Sequence, residues 1–122
     1  MKNFINIADI NKQDLRQIID QAKLQKKKRS NTNKSAMDPE KPLAGKTLIM
    51  LFEKASTRTR LSFEIAMKQL GGQLLVLDPK ESHYGSGNES IYDTAKVLSQ
   101  YGDIVMMRTT KHEHLLEFSK YL

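Results

Sequence analysis

Five consecutive residues carry the densest chemical signal in the chain: Ser56, Thr57, Arg58, Thr59 and Arg60. Their three hydroxyls can donate to the oxygens of a phosphate-like anion, and a planar guanidinium can grip two such oxygens at once. An apolar run over residues 47–52 precedes them and reads as a buried strand. Residues 60–70 follow, apolar nearly all round, and read as a buried helix. A strand-to-helix junction puts the five residues beyond the carboxyl end of a strand, where open α/β sheets bind ligands. It also puts them at a helix N-terminus, whose free N–H groups and positive dipole end favour an anion. With no glycine and no Gly-Lys-Ser/Thr, the segment is not a Walker loop. The residue types alone leave a second reading open, an N-cap hydroxyl followed by arginines that face solvent. Arg108 closes a third apolar run at residues 104–107. If the runs are parallel strands, Arg108 arrives at the same sheet edge as 56–60, where it meets either a ligand or water.

The surrounding pattern has to deliver those strand ends. Residues 11–28 form an amphipathic helix, with Asn11 as cap, Asp14 three residues on, and Leu15, Ile18, Ile19 and Ala22 on one apolar face. Residues 30–42 are a polar loop with two prolines. After Gly45 come strand 47–52, helix 60–70 ended by Gly71 and Gly72, strand 73–77, and a loop over 78–89. Ser90 to Asp93 has the form of a capping box opening a helix to about Tyr101, with Ile91, Ala95 and Leu98 turned to the core. Gly102 stops that helix, strand 104–107 follows, and residues 111–122 resume a helical pattern through Leu115, Leu116, Phe118 and Leu122. This alternation predicts an α/β fold, a parallel sheet of three or four strands flanked by helices. It stops at Leu122 without a closing element, which suggests a truncated domain.

Composition narrows the function. The chain has 122 residues, 39% of them hydrophobic and 28% charged, enough for one domain with an apolar core. No apolar run approaches a membrane span, and there is no secretory signal at the start. The absence of cysteine excludes disulfides and thiolate metal sites and fits a cytoplasmic protein. The net charge of +6 is concentrated in residues 1–34, which hold nine Lys/Arg and three Asp/Glu. Its centre, Lys26 to Arg29, reads as a solvated helix end favoured by the dipole rather than a nucleic-acid surface, because no aromatic residues interleave with the lysines. His112 and His114 lie two apart on a predicted helix and face different ways, with no third ligand nearby, which argues against zinc. No metal or cofactor is expected.

The stretch Phe52-Glu53-Lys54-Ala55-Ser56-Thr57-Arg58-Thr59-Arg60-Leu61-Ser62-Phe63-Glu64 resembles the carbamoyl-phosphate motif of the aspartate/ornithine transcarbamoylase superfamily. Residues Glu89-Ser90-Ile91-Tyr92-Asp93-Thr94-Ala95-Lys96-Val97-Leu98 are similar to the family segment before the strand that ends in its second arginine. Phe-Glu-Lys before the motif, and Glu-Ser followed by Asp-Thr-Ala, look more like the ornithine enzymes than the aspartate enzymes. The resemblance implies that residues 1–122 are a truncated carbamoyl-phosphate-binding domain, with the amino-acid-binding domain absent. It implies transfer of a carbamoyl group from carbamoyl phosphate to ornithine, giving citrulline and phosphate, in a homotrimer with sites at subunit boundaries. By the same resemblance Ser56, Thr57, Arg58 and Thr59 hold the phosphate, and Arg58 offsets charge on the departing phosphate. Thr59 and Arg108 reach the carbamoyl oxygen, and Arg60 braces the motif. Where the family often has a glutamine that reaches carbamoyl phosphate across a subunit boundary, the nearest residue is His83. An aspartate or putrescine acceptor, or a non-catalytic binding fragment, are the alternatives.

Overall fold

The computed structural model describes residues 3–34, 36–77 and 90–122. The chain divides into two compact units, Met1–Ala36 and Met37–Leu122. In the first, a short 3-10 turn leads into helix α1, Lys12–Lys28. The Asn11 side chain caps α1 by accepting from the Asp14 N–H at 2.8 Å. Lys26, Lys27 and Lys28 fill its last turn and are exposed, as expected of cations at the negative end of a helix dipole. The Arg29 guanidinium turns back to donate to the Ala36 carbonyl at 3.0 Å. No residue of α1 is buried, and Ile18 and Ile19 on its apolar face stay exposed.

The second unit alternates β1 (Thr47–Phe52), α2 (Thr57–Gln69), β2 (Gln73–Leu77), α3 (Ile91–Tyr101), β3 (Ile104–Arg108) and α4 (His112–Tyr121). The three strands make one parallel sheet in the order β2-β1-β3, the expected fold class. Central β1 is buried on both sides, and its side chains alternate between two cores. Ile49 and Leu51 pack with Ala95, Leu98 and Phe118 from α3 and α4. Leu48, Met50 and Phe52 pack with Met67 from α2. Helices therefore cover both faces, with α2 opposite α3 and α4.

Local chemistry explains the boundaries. The Ser90 side chain accepts from the Asp93 N–H at 3.0 Å, so the anticipated cap opens α3. Gly102 ends that helix where a Cβ would lie 2.7 Å from Ile49 Cδ1. Gly71, with φ of 85°, turns the chain out of α2 in the left-handed region that other residues avoid. Two expectations need correction. Helix α2 begins at Thr57, not Arg60, and it is not buried all round: only Met67 is, while Leu61 is 55% and Phe63 38% exposed. The reason is geometric, since α2 lies on one face of a three-stranded sheet and only one stripe of it meets β1 and β2. Leu116 of α4 likewise faces outward at 43% exposure, and Phe118 carries the contact at 1%.

Candidate functional site

The site is assembled where β1 and β3 end together. Phe52 pairs in register with Arg108, and the Glu53 N–H donates to the Arg108 carbonyl at 2.9 Å. Beyond that bond the chain runs through Lys54 and Ala55 to Ser56, the extended N-cap of α2. The five residues of the junction are thus the cap and first turn of the helix itself. The first α-helical bond joins the Arg60 N–H to the Ser56 carbonyl at 3.0 Å. The amides of Thr57, Arg58 and Thr59 precede it and open towards the helix N-terminus, where a negative charge is favoured.

The Ser56 hydroxyl does not cap these amides; it donates to Thr59 Oγ1 at 2.9 Å. Arg108 Nη1 approaches the same oxygen from across the sheet end, at 3.5 Å, the long limit of a hydrogen bond. Ser56, Thr59 and Arg108, the last two 49 residues apart in sequence, therefore meet at one oxygen. Thr57, Arg58 and Arg60 leave the same turn as exposed side chains. The shared oxygen of Thr59 brings two hydroxyls and one guanidinium together at the start of α2, groups of the kind that bind a tetrahedral or carbonyl-bearing anion. His83 lies outside the described residues.

Directly behind Arg108 is a cluster that pattern reading missed. The Glu53 carboxylate, 14% exposed, lies against Nδ1 of His114 at 2.7 Å through one oxygen. Its other oxygen accepts from the Thr109 hydroxyl. Thr109 Oγ1 in turn accepts from the Lys111 N–H at 3.0 Å, which leads into the first turn of α4. The partners stand 56 and 61 residues from Glu53, beyond the reach of any local pattern, and the sequence around His114 raises only the question of a metal ligand. Among the described residues no group of three or more His, Asp or Glu could hold a metal ion. A surface groove of about 340 Å³ lined by Glu64, Met67, Lys68, Gly72, Gln73 and Leu74 lies at the other end of α2 and does not reach this site.

Residues 2–122 match the family profile described as aspartate/ornithine carbamoyltransferase, carbamoyl-P binding domain. The chain belongs to the aspartate/ornithine carbamoyltransferase family. An ornithine carbamoyltransferase of Agrobacterium fabrum is 48% identical over 120 residues, 98% of this chain but 37% of the relative. The crystal structure of the anabolic ornithine carbamoyltransferase of Campylobacter jejuni superposes with a TM-score of 0.81 at 40% identity, covering 99% of this chain and 37% of that one. The catalytic subunit of aspartate transcarbamoylase from M. jannaschii gives 0.82 at 36% identity, covering 99% and 38%. The chain thus spans little more than a third of the carbamoyltransferases it matches, and its fold is common to enzymes named for either acceptor. Among the described residues no helix is long and apolar enough to cross a membrane.

Proposed function

We propose that these residues form the carbamoyl-phosphate half-site of an ornithine carbamoyltransferase, which transfers the carbamoyl group to ornithine and yields citrulline and phosphate. The convergence of Ser56 and Arg108 on Thr59, at the first turn of α2, is the observation that carries this reading. In it the phosphate lies at the N-terminus of α2, held by Ser56, Thr57, Arg58 and Thr59. Arg108 and the Thr59 hydroxyl face the carbamoyl oxygen. As the amine nitrogen bonds to the carbonyl carbon, charge gathers on that oxygen, and donors fixed beforehand stabilise it. The bond from carbon to the bridging oxygen then breaks, and phosphate leaves with the electron pair beside Arg58 and takes up the proton that the amine nitrogen sheds. Arg60 braces the turn in this reading.

Ornithine as acceptor follows the names of relatives 48% and 45% identical to this chain. Aspartate is the second reading, because an aspartate enzyme fits the same residues as well as the ornithine enzymes do. The amine site lies outside these residues in this reading, and the working enzyme is a cytoplasmic homotrimer. Calorimetric titration with carbamoyl phosphate and with inorganic phosphate tests the half-site. Arg58→Ala removes charge-assisted hydrogen bonds worth about 1.5–3 kcal/mol each, a loss of roughly tenfold to a hundredfold in affinity. Equal affinity in parent and variant sinks the assignment.

A further inference from the structure

We infer that Glu53 is a positioning residue for the anion site, acting through Thr109 and His114; the inference rests on the half-site proposed above. A carboxylate three residues before a phosphate-binding turn is at first sight misplaced, since its charge opposes the anion. Its surroundings resolve this. Glu53 is largely buried and both of its oxygens are engaged, one by the Thr109 hydroxyl and one by His114 Nδ1 at 2.7 Å.

Those contacts join three segments, two of which the sheet ties by a single backbone bond at this end. Glu53 is the first residue past β1, on the path to Ser56 and α2. Thr109 is the first residue past β3 and follows Arg108 directly. His114 sits in the first turn of α4, where its N–H donates to the Lys111 carbonyl at 3.0 Å while the Lys111 N–H donates to Thr109 Oγ1 at 3.0 Å. The sheet's own tie at this end is the Glu53 N–H to Arg108 carbonyl bond. A single backbone bond at a strand end leaves the following residue free to swing. The Glu53 carboxylate adds side-chain ties to Thr109 and His114, both just beyond Arg108, and constrains the direction in which the chain leaves the sheet there. The Arg108 guanidinium reaches Thr59 at the long limit of a hydrogen bond, so a small rotation of this corner breaks the contact. The clamp therefore sets whether Arg108 and the α2 turn present one site or two half-formed ones.

The test uses the full chain, with inorganic phosphate as probe, in five forms: parent, Thr109→Val, Thr109→Ser, Glu53→Gln and Arg58→Ala. Thr109→Val keeps the shape and removes the hydroxyl, and phosphate affinity is expected to fall about threefold to tenfold, the effect of one such hydrogen bond. Thr109→Ser restores the hydroxyl and the parental affinity. Glu53→Gln weakens binding to a similar degree and, without ligand, moves the His114 ring nitrogen resonances in ¹⁵N NMR. Parental affinity in Thr109→Val, or unmoved His114 resonances in Glu53→Gln, overturns the clamp. If Arg58→Ala is weakened but Thr109→Val is not, the clamp alone fails. If the parent does not bind phosphate, or Arg58→Ala binds as the parent does, the half-site fails and the clamp with it.

Discussion

Thr59 is the residue on which the site turns. Its hydroxyl oxygen receives Ser56 and faces Arg108, so one atom couples the first turn of α2 to the end of β3. Thr59→Ala removes that atom and frees both partners, and phosphate affinity measured by calorimetry is expected to fall about tenfold. Thr59→Ser keeps the oxygen and stays near the parental value. An unchanged affinity for Thr59→Ala would show that the convergence is incidental to binding. The motif itself stood out because its residues are contiguous and each carries a side-chain hydrogen-bond donor. Arg108 was placed correctly because a charged residue closing an apolar strand has only two ends of a sheet to occupy. The Glu53 corner was not legible: its chemistry depends on residues brought together by sheet register, and a sequence pattern carries no register.

At the scale of elements, α3 was read well because cap, apolar spacing and terminating glycine all agree. Its cap can be checked directly: Ser90→Ala leaves the Asp93 N–H without its acceptor and is expected to cost about 1 kcal/mol in urea unfolding. A cost indistinguishable from zero would mean that solvent replaces the cap at no penalty. Phe118 anchors α4 at 1% exposure, and Phe118→Ala is expected to cost about 3–5 kcal/mol, the range for emptying an aromatic site in a packed core. Helix α2 was misjudged because apolar residues around a helix state what it can bury, whereas burial also needs a surface on each side. The start of α2 was misplaced for a related reason: threonine and arginine in a first turn resemble a polar loop until the amides are counted.

For the whole molecule, substrate positioning governs what these residues can do alone. Carbamoyl transfer needs carbonyl and amine held in near-attack geometry, which supplies much of the rate. The proposed half-site would address one of the two substrates, so these 122 residues alone are expected to make no citrulline above background in a colorimetric assay run beside a full-length relative. Turnover that disappears in Arg58→Ala would refute this. Both outer strands present unpaired edges among the described residues, with Leu75 51% and Ile104 50% exposed. Such edges invite pairing with other copies, and sedimentation across a concentration series is expected to show association. Central β1 has the opposite character, and this gives it a distinct place in time. Parallel neighbours cannot be reached by a hairpin, so each of its two ladders waits for a whole crossover helix to close. Once closed, no amide of β1 can open without releasing a ladder that also seals a core. Its backbone protons are therefore expected to trade with deuterium at the rate of global unfolding, while those of α1 exchange orders of magnitude sooner. The chain's slowest clock thus sits in the strand from which the chain runs, through Glu53, Lys54 and Ala55, to the proposed anion site at Ser56.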